Sequence, residues 1–188
     1  GELNNNIKGW SRKTKATGKI KFFGFSTHSN MEKCMREAAA LGWIDGIMMS
    51  YNYRLMNTDN MKRAVAACAK AGIGLTAMKT QGGGSVRTTT ETEVKLAGRF
   101  IEKGFTDAQA KLKAVWENPN IATICSEMPN MTILMSNAAA AMGTPEQVAD
   151  LCGIFEEKSG WYRDARRSER RWGVPISVLM ATTYQESS

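Results

Sequence analysis

Apolar positions in the first 143 residues alternate between the two-residue spacing of a strand and the three-to-four spacing of an amphipathic helix. Ile20-Lys21-Phe22-Phe23-Gly24-Phe25 predicts a short strand, and Ser29 and Asn30 are the expected caps of a helix over Met31–Leu41. Residues 43–49 (WIDGIMM) predict a buried strand. Thr58 or Asp59 then opens a helix to Ala71, which Gly72 ends. Residues 73–78 (IGLTAM) predict a third strand, followed by the loop Lys79-Thr80-Gln81-Gly82-Gly83-Gly84-Ser85. Helical patterns come next at 90–103 and 107–117. The second opens on Thr106-Asp107-Ala108-Gln109, a capping-box spacing, and is closed by Pro119. Residues 121–125 predict a fourth strand and Met131–Met142 a helix. Strands separated by helices in this way predict βα units and a parallel sheet.

The texture changes at Gly143-Thr144-Pro145-Glu146-Gln147, where Gly ends one helix, Thr caps the next and Pro takes its first position. Only helices are predicted beyond it, at 145–157, 160–172 and 175–185; the middle one carries Trp161, Ala165 and Trp172 along one stripe. Three parts result: a basic N-terminal tail over 1–17, a βα part over 18–143 and a helical extension over 144–188.

Composition narrows the class of protein. With 188 residues, 43% of them hydrophobic and 23% charged, the chain can bury a core. No uncharged apolar run approaches the ~20 residues that span a bilayer, and the polar opening is no secretion signal. The net charge of +7 is uneven: Lys8, Arg12, Lys13, Lys15 and Lys19 crowd the first twenty residues, and five arginines fall in 161–172. Such local clusters are not the broad basic stripe of a nucleic-acid binder, so no nucleic-acid partner is expected. Cys34, Cys68, Cys125 and Cys152 form no C-x-x-C pair, and His28, the one histidine, has no cysteine within five residues. That spacing gives no metal site. Reduced, buried thiols point to a reducing compartment, and a cytoplasmic location is expected.

Several ordered stretches resemble the C-terminal half of an aldo/keto reductase. Gly18-Lys19-Ile20-Lys21-Phe22-Phe23-Gly24-Phe25-Ser26-Thr27 is similar to the family's "GKIR-x-x-G-x-S" strand. Residues 45–52 (DGIMMSYN) resemble its "D-x-x-Q-x-x-YN" strand, and 69–83 (AKAGIGLTAMKTQGG) the next strand with its glycine loop. Residues 116–123 (WENPNIAT) and 129–137 resemble the last strand and helix. The resemblance, over about residues 18–142, implies a partial (β/α)8 barrel of four parallel strands with helices, in an α/β fold extended by helices at its C-terminus. It also implies carbonyl reduction with NADP or NAD, in which a Tyr is the general acid and Lys, Asp and His tune it. Those four residues belong to the family's first barrel half, which this chain does not contain. His28 follows the fifth family strand and so is not the catalytic histidine; Tyr51 matches the "YN" tyrosine and is expected to pack at the barrel mouth.

What the resemblance retains is the cofactor side. Ser26 and Thr27 match the Ser-Asn pair that holds the nicotinamide amide, with Thr27 in place of Asn. Met48 stands where many members carry Gln, and Met78 where an aromatic often stacks on the nicotinamide. Lys79, Gln81, Gly82 and Gly83 fall on the pyrophosphate loop, with charge from Lys79 and Arg87; read alone, the glycine run is more often a flexible loop, and its position after a strand makes the two readings equal. Ser126, Met128 and Asn130 lie on the loop that meets the adenosine phosphate, where Glu127 disfavours a 2′-phosphate. Asn137 matches the Asn that reaches adenine.

The C-terminal residues resemble something else. Trp161-Tyr162, Arg171-Trp172-Gly173-Val174-Pro175-Ile176 and Tyr184-Gln185-Glu186-Ser187-Ser188 are similar to the opening of a soluble lytic transglycosylase domain, over about 161–188. That family cleaves peptidoglycan with one Glu as general acid and base, and Glu186 falls on it; this likeness points instead to the cell envelope. Three functions therefore stand side by side: a reductase-like fragment that grips a dinucleotide, a transglycosylase fragment, and an inactive fusion of two truncated domains. Half a barrel leaves two sheet edges without a neighbour. An open sheet, self-association through those edges, or coverage by the C-terminal helices is expected.

Overall fold

The computed structural model describes residues 5–87 and 89–142, together with Arg167 and Arg170, which are helical and exposed. The rest of the predicted helices at 145–157, 160–172 and 175–185, and Glu186, lie outside the described residues. The chain divides into two compact units. One comprises Gly1–Gly84 and Ala114–Ser126, the other Ser85–Lys113 and Glu127–Ser188.

The first unit holds α1 (Asn5–Ala16), β1 (Gly24–Thr27), α2 (Met31–Leu41), β2 (Gly46–Ser50), a 3-10 turn (Leu55–Asn57), α3 (Asp59–Lys70), β3 (Gly74–Met78) and β4 (Thr123–Ile124). All neighbouring strands run parallel, in the order β1-β2-β3-β4. Phe25 and Ile124, both partly buried, join Ile47, Met49, Leu75 and Ala77 in one apolar core with Met31, Met35 and Ala38 of α2 and Met61, Ala64, Val65 and Cys68 of α3. Both helices thus lie on the same side of the sheet. The opposite side carries the row Ser26–Met48–Thr76–Thr123, in which Ser26 is exposed and the other three are half-buried. A doubly wound sheet would reverse its strand order and place helices on both faces. Sequential order with one-sided helices is the wall of a (β/α)8 barrel, and four strands make half of it.

Residues predicted as a tail form α1, held by contacts far along the chain. Trp10 meets the Phe23 ring edge-on at 5.9 Å, Phe23 stacks on Trp43 at 5.6 Å, and Ser11 is buried. Lys15 Nζ donates to Asp45 Oδ2, which also accepts the Phe23 N–H at 2.7 Å. This anchoring explains why the ladder starts at Gly24 and not at Ile20: Phe23 is used as a foot for α1. A further correction concerns Asn30. It does precede α2, but in the left-handed region (φ 48°) and with no side-chain bond to the first turn; Asn tolerates that backbone well. Thr58 caps α3 as expected, accepting from the Met61 N–H at 3.3 Å. Gly72 follows α3 with φ 72°.

Glycines open three strands in one row, Gly24–Gly46–Gly74. At Gly24 the strands approach so closely that a Cβ would stand 2.3 Å from the Gly46 carbonyl oxygen.

The second unit contains α4 (Glu91–Glu93), a π-helical turn (Val94–Gly98), α5 (Arg99–Glu102) and α7 (Met131–Met142). It also holds most of α6 (Asp107–Trp116), whose last residues, from Ala114, belong to the first unit. The capping box forms as the spacing predicts: Gln109 N–H donates to Thr106 Oγ1 at 3.3 Å, and Thr106 N–H to Gln109 Oε1 at 3.0 Å. The Gln109 amide continues to the Ser136 carbonyl of α7 at 3.1 Å. Asp107 accepts the Val86 N–H and the ammonium of buried Lys111, each at 2.6 Å. Phe100 and Phe105 meet edge to face at 6.2 Å. No helix among the described residues is long and apolar enough to cross a membrane.

Candidate functional site

In a parallel barrel-type sheet, chemistry gathers at the C-terminal ends of the strands, where successive loops lie side by side. In the first unit those ends bring Thr27, Ser50, Met78 and Ile124 to one edge, with His28, Tyr51, Lys79 and Cys125 immediately beyond. Two bonds tie the loops together. His28 Nδ1 lies 3.2 Å from Ser50 Oγ, and the Tyr51 N–H donates to the Met78 carbonyl at 2.9 Å.

Ser26 is exposed on the open face. The Thr27 hydroxyl donates to the Ser29 carbonyl at 3.0 Å, so toward any ligand it offers only an acceptor. Tyr51 is 1% exposed, sits in the apolar core and has its phenol oxygen bonded by Asn118 Nδ2 at 2.8 Å. Burial raises its pKa above the ordinary value, with the Asn118 bond opposing. A sealed, hydrogen-bonded phenol is a packing element, and no proton donor for a substrate.

The loop after β3 is built for a close approach of backbone. Lys79 leaves the strand at φ 54°, a conformation that side chains other than Gly, Asn and Asp seldom take. Its carbonyl accepts the Gly82 N–H at 3.1 Å, closing a turn over buried Thr80. Gly82 (φ 59°) and Gly84 (φ 70°) need the left-handed region; a Cβ at Gly82 would touch the Asn52 side chain at 3.4 Å, whereas Gly83 and Gly84 face open space. Asn52 Oδ1 accepts the N–H groups of Arg54 and Leu55, each at 3.1 Å. This aims the Arg54 guanidinium at the Gly83 carbonyl, while the same group lies 4.6 Å over the Tyr53 ring. A cation is thereby fixed against the glycine loop. Sequence reasoning missed it: a partner 29 residues away leaves no mark in local pattern.

The remaining candidates divide between the units. Ser126 closes the first unit, half-buried. Met128, Asn130 and Asn137 belong to the second. There Asn130 Oδ1 accepts the Ile133 N–H at 3.0 Å, capping α7, and Asn137 is buried within that helix. Arg87 is also in the second unit, where its backbone N–H donates to Glu93 at 2.5 Å. Asp45, from the "D-x-x-Q" stretch, is structural. Burial raises its pKa, but the Lys15 hydrogen bond, the Phe23 N–H and the Lys15 charge outweigh it and leave it low. Cys68 is buried against α2, its thiol donating to the Met35 carbonyl at 3.5 Å and pushed up to about 11 by desolvation.

The fold is similar to that of a thermostable aldo-keto reductase solved with the inhibitor epalrestat, with a TM-score of 0.52 and 20% identity. The similarity covers 75% of this chain and 50% of that one, so the chain spans about half the length of its structural relative. No curated protein matches the sequence. Residues 128–188 match the family model described as a transglycosylase SLT domain, starting 33 positions before Trp161 and one after the second unit resumes at Glu127. The chain thus joins an aldo-keto reductase-like partial barrel to a segment similar to a lytic transglycosylase domain.

Proposed function

We propose that the first unit is the dinucleotide-gripping part of an NAD(P)-dependent oxidoreductase of the aldo/keto reductase type, without the proton-handling residues of its own. The observation that carries this reading is the glycine loop at the end of β3, entered through left-handed Lys79 and clipped by Arg54 at Gly83. Positive φ at Gly82 and Gly84, open space at Gly83 and two cationic side chains suit a pyrophosphate. Ser26 and Thr27 would hold the carboxamide and Met78 the nicotinamide face. Lys79, Gln81, Gly82 and Gly83 would hold the phosphates. Ser126 is the adenosine-side residue of this unit by resemblance. When bound, the dinucleotide supplies hydride; this chain's residues orient it and move no proton.

Fluorescence titration with NADPH and NADH tests the reading. A Kd tighter than about 1 mM, roughly 4 kcal/mol of binding, is expected for at least one of them, and Arg54→Met should weaken it several-fold. Binding of neither below that level overturns the proposal.

The match over 128–188 favours a second reading, peptidoglycan cleavage at the cell envelope with Glu186 as acid and base. Muropeptide release that Glu186→Gln abolishes would support it. Absence of both cofactor binding and release would favour the third reading, a fusion without activity of its own.

A further inference from the structure

The two ends of the sheet are complementary to each other. Among the described residues β1 pairs only with β2, and β4 only with β3, so one edge of each outer strand is open. Both edges are parallel-type and belong to a sheet whose helices α2 and α3 lie on one side. The other side is the face that a closed barrel would seal, and here Gly24, Ser26 and Gly74 are exposed while Met48, Thr76 and Thr123 are half-buried. These are small or unbranched side chains, too few to fill a lumen. A barrel interior is built from layers of four side chains drawn from alternate strands, and four strands supply only two per layer. Eight strands close a barrel and four leave it half made; the part of this chain that matches the structural relative likewise covers 50% of it.

We infer that two copies of this chain close their sheets into one eight-stranded barrel about a two-fold axis along the lumen, β4 of each copy pairing with β1 of the other. The inference rests on the partial-barrel fold and not on the dinucleotide reading. Rotation by half a turn presents the open β1 edge of one copy to the open β4 edge of the other, in the parallel sense the sheet already uses. It does so at both seams at once, and each layer gains its missing pair of side chains. A second copy satisfies both edges and the face together, because the edge it lacks is the one its twin presents. A closed ring also ends the growth that two open edges invite.

Light scattering on the full chain, over a dilution series, reads the assembly. A mass of about 41 kDa is expected, two chains of 20.7 kDa. A mass of one chain overturns the inference, whether or not the edge amides are protected, since protection in a monomer would assign the cover to residues of the same chain. Larger open-ended assemblies overturn it too. Thr76→Lys, which places a charge where the lumen would be sealed, should weaken the dimer at least tenfold while helical circular dichroism is retained; Thr76→Val should leave it intact. An unchanged dimer with Thr76→Lys would put the contact on another surface and overturn the barrel. Hydrogen exchange on the unmodified chain covers the case in which the lysine variant does not fold. Amides of β1 and β4 should gain protection with concentration, and concentration-independent exchange at both edges refutes the seams.

Discussion

The three glycines that open β1, β2 and β3 occupy one row yet should respond very differently to a single methyl group. Alanine at Gly24 would place its Cβ 2.3 Å from the Gly46 carbonyl oxygen and 2.9 Å from the carbonyl carbon. Ordinary contacts between such atoms are about 3.5 Å, so β1 must retreat from β2 by about 1 Å. Both contacting atoms are backbone, and no rotamer can relieve them. The neighbouring bond from the Asp45 N–H to the Phe23 carbonyl, now 2.9 Å, would stretch out of range, along with part of the β1 ladder. One or two such bonds at about 1 kcal/mol each, with residual overpacking, give a loss of roughly 2–3 kcal/mol. For a unit of this size that is a fall in melting temperature of roughly 10–20 °C. At Gly46 and Gly74 the nearest atoms to a Cβ are 3.7 Å away, an ordinary contact. Alanine there should be neutral or add about 0.5 kcal/mol by restricting the unfolded chain. Urea unfolding of the three variants, followed by circular dichroism, measures the contrast. Gly24→Ala within about 0.5 kcal/mol of the parent, or Gly46→Ala the more damaging, would refute the close approach of β1 to β2.

Further outcomes follow from the polar contacts. Asp45 has a lowered pKa in the folded chain, so its contribution is present above the ordinary carboxylate value near 3.9 and disappears as pH falls through the folded value. Asp45→Asn should flatten the acid limb of the stability curve, by less than about 1 kcal/mol for so accessible a pair, and an unchanged limb refutes the assignment. With the Cys68 thiol pushed up to about 11 and buried, a thiol reagent at pH 8 should modify exposed Cys125 first and reach Cys68 only on unfolding; peptide mapping after brief labelling decides the order. Gln109→Ala removes one arm of the capping box and the bond to Ser136, and should cost about 1–2 kcal/mol in urea unfolding, whereas Gln109→Glu should keep the cap and lose only the donor to Ser136.

Helices and strands whose pattern comes from their own burial were legible. Met31–Leu41 and Met131–Met142 are found with the predicted bounds, and Thr106–Gln109 caps α6 as its spacing implies. Where distant residues set the outcome, the pattern misled. Residues 5–16 carry only Ile7 and Trp10 as large apolar positions, and they are helical because Phe23 and Asp45 receive Trp10 and Lys15. Phe22 and Phe23 looked like strand residues, yet Phe23 packs at the foot of the sheet and Phe22 is 75% exposed. The π turn at Val94–Gly98 breaks helical period without any Pro to announce it. At the candidate site the glycine loop could be read from composition. Its clip, Arg54, could not, because nothing local says that the loops after β2 and β3 meet. The resemblance singles out Asn130 as an adenosine contact, whereas its oxygen accepts from the first turn of α7.

The bond from the Gln109 amide to the Ser136 carbonyl runs, inside the second unit, from a residue outside the segment with transglycosylase likeness to one within it. Such a stitch, a side-chain amide on a main-chain carbonyl, ties the two stretches into one folding unit. Excising the later segment would strip a buried amide of its acceptor; because that acceptor is main chain, the contact constrains residue 109 and the path of α7 and leaves the side chain at 136 free to vary.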